Sequence, residues 1–182
     1  AMTNANPAAP AAITPEGVTA TLNRGLVDTL SAFDPTWLRQ RREDAWSVYE
    51  STPMPTPRLE EWRYTDLKNK LDLALLGMPG KTACADDFNA CPEGLRVTMV
   101  EDDPASGHVW GIDGQIIHVD LEQELRTKGV ILISLKEAVK AHPALLKEHL
   151  ATRALPPARG KFEALNAALW RDGILLYVPR GV

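Results

Sequence analysis

Cysteine is scarce in this sequence, which has only Cys84 and Cys91 among its 182 residues. The two are seven positions apart in a stretch rich in glycine, proline and aspartate. The sequence therefore has neither a disulfide framework nor the CxxC spacing of common metal and redox sites. A fold held together by disulfides is excluded.

Long hydrophobic runs are also missing. No stretch reaches the ~18 consecutive apolar residues that a membrane-spanning helix requires. The N-terminal stretch AMTNANPAAPAAITP contains no basic segment followed by a long apolar one, so it does not form a secretory signal. We therefore expect a cytoplasmic protein with no membrane partner.

The motifs of several common enzyme classes are absent as well. The sequence lacks the phosphate-binding loops GxxxxGK(S/T) and GxGxxG, the serine elbow GxSxG and the zinc-binding helix HExxH. No motif in the sequence indicates a catalytic nucleophile. We therefore expect a protein that is not an enzyme and has no catalytic residue.

The charge is weakly acidic overall and unevenly distributed. The net charge is −4, with 45% hydrophobic and 24% charged residues, which is typical of soluble globular proteins. Residues 81–124 carry two basic and ten acidic side chains, whereas residues 125–182 carry ten basic and four acidic ones. The two segments could fold against each other or face different partners, and two solvated faces of opposite bias explain the pattern equally well. No continuous basic track predicts a nucleic-acid partner.

The N-terminal third of the chain predicts a helical hairpin. Residues 1–13 offer almost nothing to bury, so we expect a disordered tail. Residues 14–52 contain two helix starts, Thr14-Pro15 and Asp34-Pro35. The first helix would present one apolar stripe, formed by Val18, Leu22, Leu26, Leu30 and Phe33. The second, ending near Ser51, would bury Leu38, Ala45, Trp46 and Tyr49.

Residues 53–76 predict a proline-rich linker and a short helix from Thr65 to Leu73. The hairpin could then swing as a separate unit. The carboxylates Glu60, Glu61 and Asp66 could form an acid/base cluster, but basic residues are interleaved with them in matching number, which favours paired surface charges. Trp62 is expected to pack the linker against the folded domain rather than to contact a ligand.

Residues 77–160 predict a small α+β cap domain. A mobile loop over 77–92 precedes a strand over 95–100, and Asp113-Gly114 indicates a β-hairpin, so we expect an antiparallel sheet of about three strands. A short helix ended by Gly129 and a strand over 130–133 follow. Ser134 and Glu137 then form a capping box for a helix that His142-Pro143 breaks, and a further helix follows.

Residues 161–182 predict a helix, a turn at Asp172-Gly173 and a buried strand over 174–178. The helix would bury its apolar face, which consists of Phe162, Leu165, Leu169 and Trp170. Asn166 would lie on that face, and its amide is expected to satisfy backbone groups there rather than to contact a ligand. Because an apolar strand needs partners along its edges, we expect the start of a longer protein, with self-association through the cut strand as one consequence.

A metal site is the alternative hypothesis. Thiolate and imidazole suit zinc or iron, and four residues could supply them: Cys84, Cys91, His108 and His118. The two histidines straddle the Asp-Gly turn and could face each other across the hairpin. Structural zinc sites, however, use closely spaced pairs, so unattached cysteines and ordinary hairpin histidines are favoured. His142 and His149 are expected at a helix end and on a solvent face.

Two blocks of the sequence resemble the SufB/SufD family of iron–sulfur cluster assembly scaffold proteins. The helix FEALNAALW, the turn RDG and the strand ILLYVPRGV are similar to the entrance of the family's β-helix core. PTPRLEEWRYTDL, from Pro55 to Leu67, resembles a segment of SufD more than of SufB. Between them, GVILISLKEAVKAHPALLKEHL is similar to a strand and two short helices of the family.

The resemblance implies the N-terminal part of a SufD-like subunit. The expected α+β fold is a helical hairpin, then a small mixed sheet with short helices leading into the first strand of a truncated right-handed β-helix. The partners would be a SufB-like subunit and a SufC-like ATPase, and the full-length complex would handle iron–sulfur clusters. The family's cluster-related residues and SufC contact lie in its β-helix core and C-terminal helices. The resemblance therefore implies no cofactor and no functional site residue within residues 1–182.

Overall fold

The computed structural model describes residues 22–68, 70, 71, 73, 91–94, 96, 106–112 and 114–182. These residues form an α+β fold of helices and small antiparallel sheets. The helices are α1 (Arg24–Ser31), α2 (Thr36–Ser51), α3 (Gln123–Thr127), α4 (Leu135–Ala141), α5 (Pro143–His149) and α6 (Lys161–Leu169), with 3₁₀ turns at Glu60–Trp62 and Pro157–Arg159. The strands are β1 (Gly107–Ile112), β2 (Gln115–Leu121), β3 (Ile131–Ser134) and β4 (Ile174–Tyr177).

The first helix begins later than the apolar stripe predicts. Asn23 has extended backbone angles, and its side-chain oxygen accepts a hydrogen bond from the Leu26 amide at 3.2 Å, which caps α1. The prediction that one helix includes both Leu22 and Leu26 is therefore wrong. The predicted tail, the Thr14-Pro15 start and Val18 lie outside the described residues. The second helix is confirmed, with Leu38, Ala45 and Trp46 buried.

The hairpin shares a hydrophobic core with the last helix. Its buried members come from α1, α2 and α6, and they are Val27, Ala45, Trp46, Ala167 and Ala168. Alanines on both helices allow α2 and α6 to approach closely, so α6 buries its alanine face most completely rather than its leucine face. Asn166 is exposed as a result, and its predicted burial is wrong. The shared core also argues against a hairpin that swings separately.

The sheet prediction is confirmed only for the hairpin. β1 pairs antiparallel with β2 through Gly114, whose φ of +72° suits a tight turn; Asp113 lies outside the described residues. Arg96 is helical, its amide donating to the Pro92 carbonyl at 3.1 Å, so a strand over 95–100 is wrong at that residue. The rest of that strand and most of the predicted loop are not described. Within the described residues β3 pairs with β4 in a second two-stranded sheet instead of joining one mixed sheet.

The last strand is paired but not buried. β3 occupies one edge of β4, in a register that matches Leu132 with Leu176. The strand and the residue after it nevertheless expose large apolar side chains, namely Ile174, Leu176, Tyr177 and Val178. Leu176 is 61% exposed, so this apolar surface is uncovered among the described residues, and its burial stays a prediction for a longer protein. No β-helix is present among the described residues.

Local capping signals are mostly confirmed. Gly129 has a φ of +86° just after α3, and Ser134 Oγ accepts a hydrogen bond from the Glu137 amide at 3.1 Å at the start of α4. α4 ends at Ala141, directly before His142-Pro143. The predicted start of a short helix at Thr65 is wrong, because the Asp66 side chain accepts from the Lys68 amide at 3.0 Å and forms a turn there. Further along, the Leu71 amide donates to the Leu67 carbonyl at 3.2 Å, as in one helical turn, and the rest of the predicted helix lies partly outside the described residues.

The buried side chain of Arg42 joins the hairpin to the end of α6. Its Nε donates to Asp34 Oδ2 at 2.7 Å, and its Nη1 donates to the carbonyls of Ala168 and Trp170, each at 2.9 Å. Arg42 is only 3% exposed, and its guanidinium lies 4.3 Å from the centre of the Trp170 ring. Burial lowers the pKa of Arg42 from its usual value, while the hydrogen bond and charge of Asp34 oppose that shift. The arginine thus caps a helix end that would otherwise leave buried carbonyls unpaired.

Two more cations cap helix ends, one from α2 and one from α6. Arg41 donates to the carbonyls at the end of α5, including Leu150 at 2.7 Å. Lys161, the first residue of α6, donates to the carbonyls of Tyr49 and Thr52 at the end of α2, both at 2.7 Å. Cations at helix C-termini also interact favourably with the helix dipole. These contacts hold α2, α5 and α6 together through charged side chains, in addition to the hydrophobic core that α2 and α6 share.

We predict that Arg42→Ala destabilises the chain by about 3–5 kcal/mol, because it leaves two carbonyls and the Asp34 carboxylate without their partner. Urea unfolding followed by circular dichroism measures the loss. Arg39→Ala, on the exposed side of the same helix, is the matched control and is expected to stay within about 0.5 kcal/mol of the native chain. A loss below about 1 kcal/mol for Arg42→Ala would show that this contact is dispensable.

Candidate functional site

A groove of about 660 Å³ lies beside the turn of the helical hairpin. One side is the α1–α2 turn, the other is α4, and the segment just after α6 completes it. The lining residues are Thr29, Leu30, Phe33, Asp34, Pro35, Arg42, Lys136, Val139, Lys140, Trp170 and Arg171. Because the lining comes from both the hairpin and the C-terminal third, the groove depends on their packing.

The apolar lining of the groove centres on Trp170. Leu30 and Val139 contribute aliphatic surface, and Arg42 stacks over the Trp170 ring from the core side. The indole nitrogen of Trp170 is buried and has no hydrogen-bond partner among the described residues. This arrangement holds the ring in place without using its polar atom.

Phe33 borders the groove and is completely exposed, at 100% of its accessible surface. The sequence predicted that it would extend the buried stripe of α1, which is wrong. The helix ends at Ser31, and the Asp34 amide then donates to the Ser31 carbonyl at 3.0 Å, so the chain turns and carries Phe33 outward. Asp34 is fixed in turn by Arg42.

Several basic side chains line the groove. Lys136, Lys140 and Arg171 lie in its lining, and Asp34 is the one carboxylate among the described lining residues. Lys136 Nζ pairs with the Asp172 carboxylate at 3.7 Å. Asp172, whose side chain is 3% exposed, lies next to this lining. Its Oδ1 accepts from the amides of Lys136 and Gly173 at 3.2 and 2.9 Å, which fixes the start of α4 against the segment after α6.

The polar groups of the groove are few among the described lining residues. The one carboxylate there, Asp34, is engaged by Arg42 at 2.7 Å. The remaining polar side chains in the described lining are Thr29, Lys136, Lys140 and Arg171.

The structure describes three of the four residues of the metal hypothesis, namely Cys91, His108 and His118. Cys84 lies outside the described residues, and Cys91 is buried. The β1–β2 register matches His108 with Asp120 and Trp110 with His118, which puts these four on one face of the hairpin. The His108 and Trp110 rings stack 6.4 Å apart. In the part of the chain that is described, no three His, Cys, Asp or Glu side chains gather closely enough to hold a metal ion.

The other titratable residues considered in the sequence are structural or exposed. Glu60 forms an exposed ion pair with Arg63 at 3.5 Å, as paired surface charges predict. His142 lies between α4 and α5, and His149 is exposed near Glu148. The groove could not be found from the sequence, because its lining residues come from segments that are far apart in the chain. Only the four-residue spacing of Lys136 and Lys140 hinted at a shared helix face.

Two distant sequence blocks meet near the core. The rings of Trp62 and Phe162 lie 5.4 Å apart with an angle of 37° between their planes. Trp62 belongs to the block over 55–67, and Phe162 begins the terminal helix. The predicted wedge of Trp62 against the domain is therefore confirmed.

The described helices include none that is long and apolar enough to cross a membrane.

One family description and three relatives that match this chain all carry the SufB or SufBD name. The family described as the SufBD protein N-terminal region matches residues 106–182, from just before β1 through β4. An iron–sulfur cluster assembly SufBD family protein of Mycobacterium tuberculosis (strain H37Rv) is 26% identical over 171 residues, which cover 88% of this chain and 20% of that protein. A SufBD family protein of Pyrococcus horikoshii is 27% identical over 153 residues, covering 82% and 34%.

The iron–sulfur cluster assembly protein SufB of Bacillus subtilis is 22% identical over 170 residues, covering 88% of this chain and 35% of that protein. The chain thus spans between 20% and 35% of the length of these relatives. The likeness extends beyond residues 106–182 into the helical hairpin, because 88% of the chain is aligned.

We predict that the purified chain contains no stoichiometric zinc or iron, because its hairpin histidines lack a third ligand among the described residues. Elemental analysis by mass spectrometry after dialysis tests this. The Cys84→Ser, Cys91→Ser double variant is measured in parallel. Metal at one equivalent that disappears in the double variant would instead support the metal hypothesis.

Proposed function

The chain belongs to the SufB/SufD family of iron–sulfur cluster assembly proteins, matching its N-terminal region, and from that premise we propose that it is the N-terminal region of a SufD-like scaffold subunit. In this proposal it is not an enzyme. It works in the cytoplasm with a SufB-like subunit and a SufC-like ATPase, and no residue of this chain holds a cofactor. The clusters are handled elsewhere in the assembled complex.

The contact between Trp62 and Phe162 is the observation that supports this proposal most directly. It joins the two blocks that resemble the family, although they are about a hundred positions apart in the sequence. Residues 55–67 resemble SufD more than SufB, and this block packs on the helix that leads into β4. The choice of the SufD branch rests on that block.

The proposed role of the chain is physical. The end of a β-helix exposes backbone groups and apolar side chains, and a folded cap there blocks edge-to-edge association. β4 has β3 on one edge and exposes the apolar side chains of Ile174, Leu176 and Tyr177. We propose that a right-handed β-helix in a protein of the relatives' length covers this surface, so that β1 to β4 and their helices form the cap.

We predict that a full-length protein containing this chain forms a stable complex with the SufB-like and SufC-like proteins of the same organism. Co-expression, affinity purification through a tag on the SufC-like protein and native mass spectrometry measure it. Recovery of all three proteins in fixed stoichiometry is expected. If the protein is recovered without either partner, the proposed scaffold role is wrong.

Leu176→Thr provides a matched test of the cap within that experiment. The side chain is exposed in this chain, so the substitution is expected to change the stability of the 182-residue chain by no more than about 0.5 kcal/mol. In the full-length protein, burial of Leu176 would make the same change cost about 2–3 kcal/mol. Equal effects in both proteins would contradict the proposed covering of β4.

A further inference from the structure

We propose that two copies of the 182-residue chain pair through β4, antiparallel and about a two-fold axis at Leu176. The product is a four-stranded sheet in which β4 of each copy lies between its own β3 and the β4 of the other copy. The proposal concerns this chain and does not rest on the proposed function. In a longer protein, a β-helix over the same edge would take the place of the second copy.

The edge of β4 that points away from β3 carries unpaired backbone groups. The Leu135 amide donates to the Gly173 carbonyl at 2.8 Å, in the same register as the β3–β4 pairs. Hydrogen-bonded and non-hydrogen-bonded pairs alternate along an antiparallel ladder, so every second residue from Gly173 onward directs its N–H and C=O to β3. Ile174 and Leu176 therefore direct theirs to the opposite edge, where no strand pairs with β4 among the described residues.

This edge lacks the features that protect exposed strands in proteins. Charged side chains, prolines and bulges commonly prevent edge-to-edge pairing. The strand Ile174–Tyr177 contains no charge and no proline, and its register with β3 is regular. Pro179 lies beside Gly129 on the side of β3, so its missing N–H is not at the free edge. The edge is therefore open to another strand.

The side chains along the edge favour burial. Ile174, Leu176 and Val178 alternate along the chain and so share one face, and all three are exposed. Pairing two copies of this strand removes part of that apolar surface from water. A single strand pair is small compared with a standard protein interface, so the dimer is expected to be weak and to depend on concentration.

The order of residues in β4 favours a second copy of the same strand as the partner. A two-fold axis at Leu176 places this leucine opposite itself and Ile174 opposite Val178 of the other copy. Beyond the strand, Asp172 then comes opposite Arg180, so no like charges meet. A register shifted by two residues would instead put Arg180 opposite Ile174, or Asp172 opposite Val178. The symmetric register is thus the one that matches apolar residues with apolar residues.

Sedimentation velocity of the 182-residue chain between about 10 and about 500 µM tests the proposal, and a reversible dimer is expected. Leu176→Lys and Leu176→Glu each place two like charges opposite each other at the axis, so each should weaken the dimer about tenfold or more. Mixed in equal amounts, the two variants should pair with each other at least about tenfold more tightly than either pairs with itself.

Leu59→Lys is the matched control, because it puts the same charge on an exposed leucine in a different segment. It should dimerise with an affinity within about twofold of the native chain. Leu176 is exposed in the single chain, so all variants are expected to keep the native melting temperature at a concentration where the native chain is monomeric.

The proposal is overturned if the native chain stays monomeric over this range, if Leu176→Lys dimerises like the native chain, or if the mixed variants do not pair. Oligomers larger than a dimer would also overturn it, because pairing uses the one free β4 edge that each copy has among its described residues. None of these outcomes decides the complex with the SufB-like and SufC-like proteins, which is measured separately.

Discussion

The rest of the structure depends on how the guanidinium group of Arg42 is accommodated. A buried charge is costly unless it is paired and hydrogen-bonded. Arg42 meets this condition with one carboxylate, two main-chain carbonyls and the face of Trp170. Those partners come from the α1–α2 turn and from the end of α6, so satisfying one side chain fixes the position of the whole hairpin. The outward position of Phe33 and the wall of the groove both follow from it.

Reciprocal capping extends the same principle to the neighbouring helices. α2 supplies the cations for the ends of α5 and α6, and α6 supplies Lys161 for the end of α2. α2 and α6 therefore need each other to satisfy their terminal carbonyls, and α5 needs α2. The hairpin and the region that matches the SufBD family share one core and one set of caps. The likeness to family members likewise spans most of the chain, although the family match itself begins at residue 106.

Predictions from the sequence succeeded where local chemistry decides the structure. Ser134 caps a helix, Gly114 turns a hairpin and His142-Pro143 separates two helices, and each depends only on neighbouring residues. They failed where distant contacts decide. Arg42 resembles any surface arginine in the sequence, because its carbonyl partner in Ala168 lies 126 positions away. The groove could not be predicted for the same reason, because its lining residues come from three segments that are far apart in the sequence. The burial expected for β4 was inferred from its apolar composition, which cannot say what covers a strand.

Native-state hydrogen exchange tests most directly whether the hairpin and the terminal helix form one cooperative unit. The account predicts that the amides of Ala45 and Trp46 in α2 and those of Ala167 and Ala168 in α6 exchange with the same free energy of opening. That value should equal the global unfolding free energy, as expected for core helices. If the α2 amides open at a free energy more than about 2 kcal/mol below those of α6, the hairpin detaches by itself, and the central role given to Arg42 is contradicted.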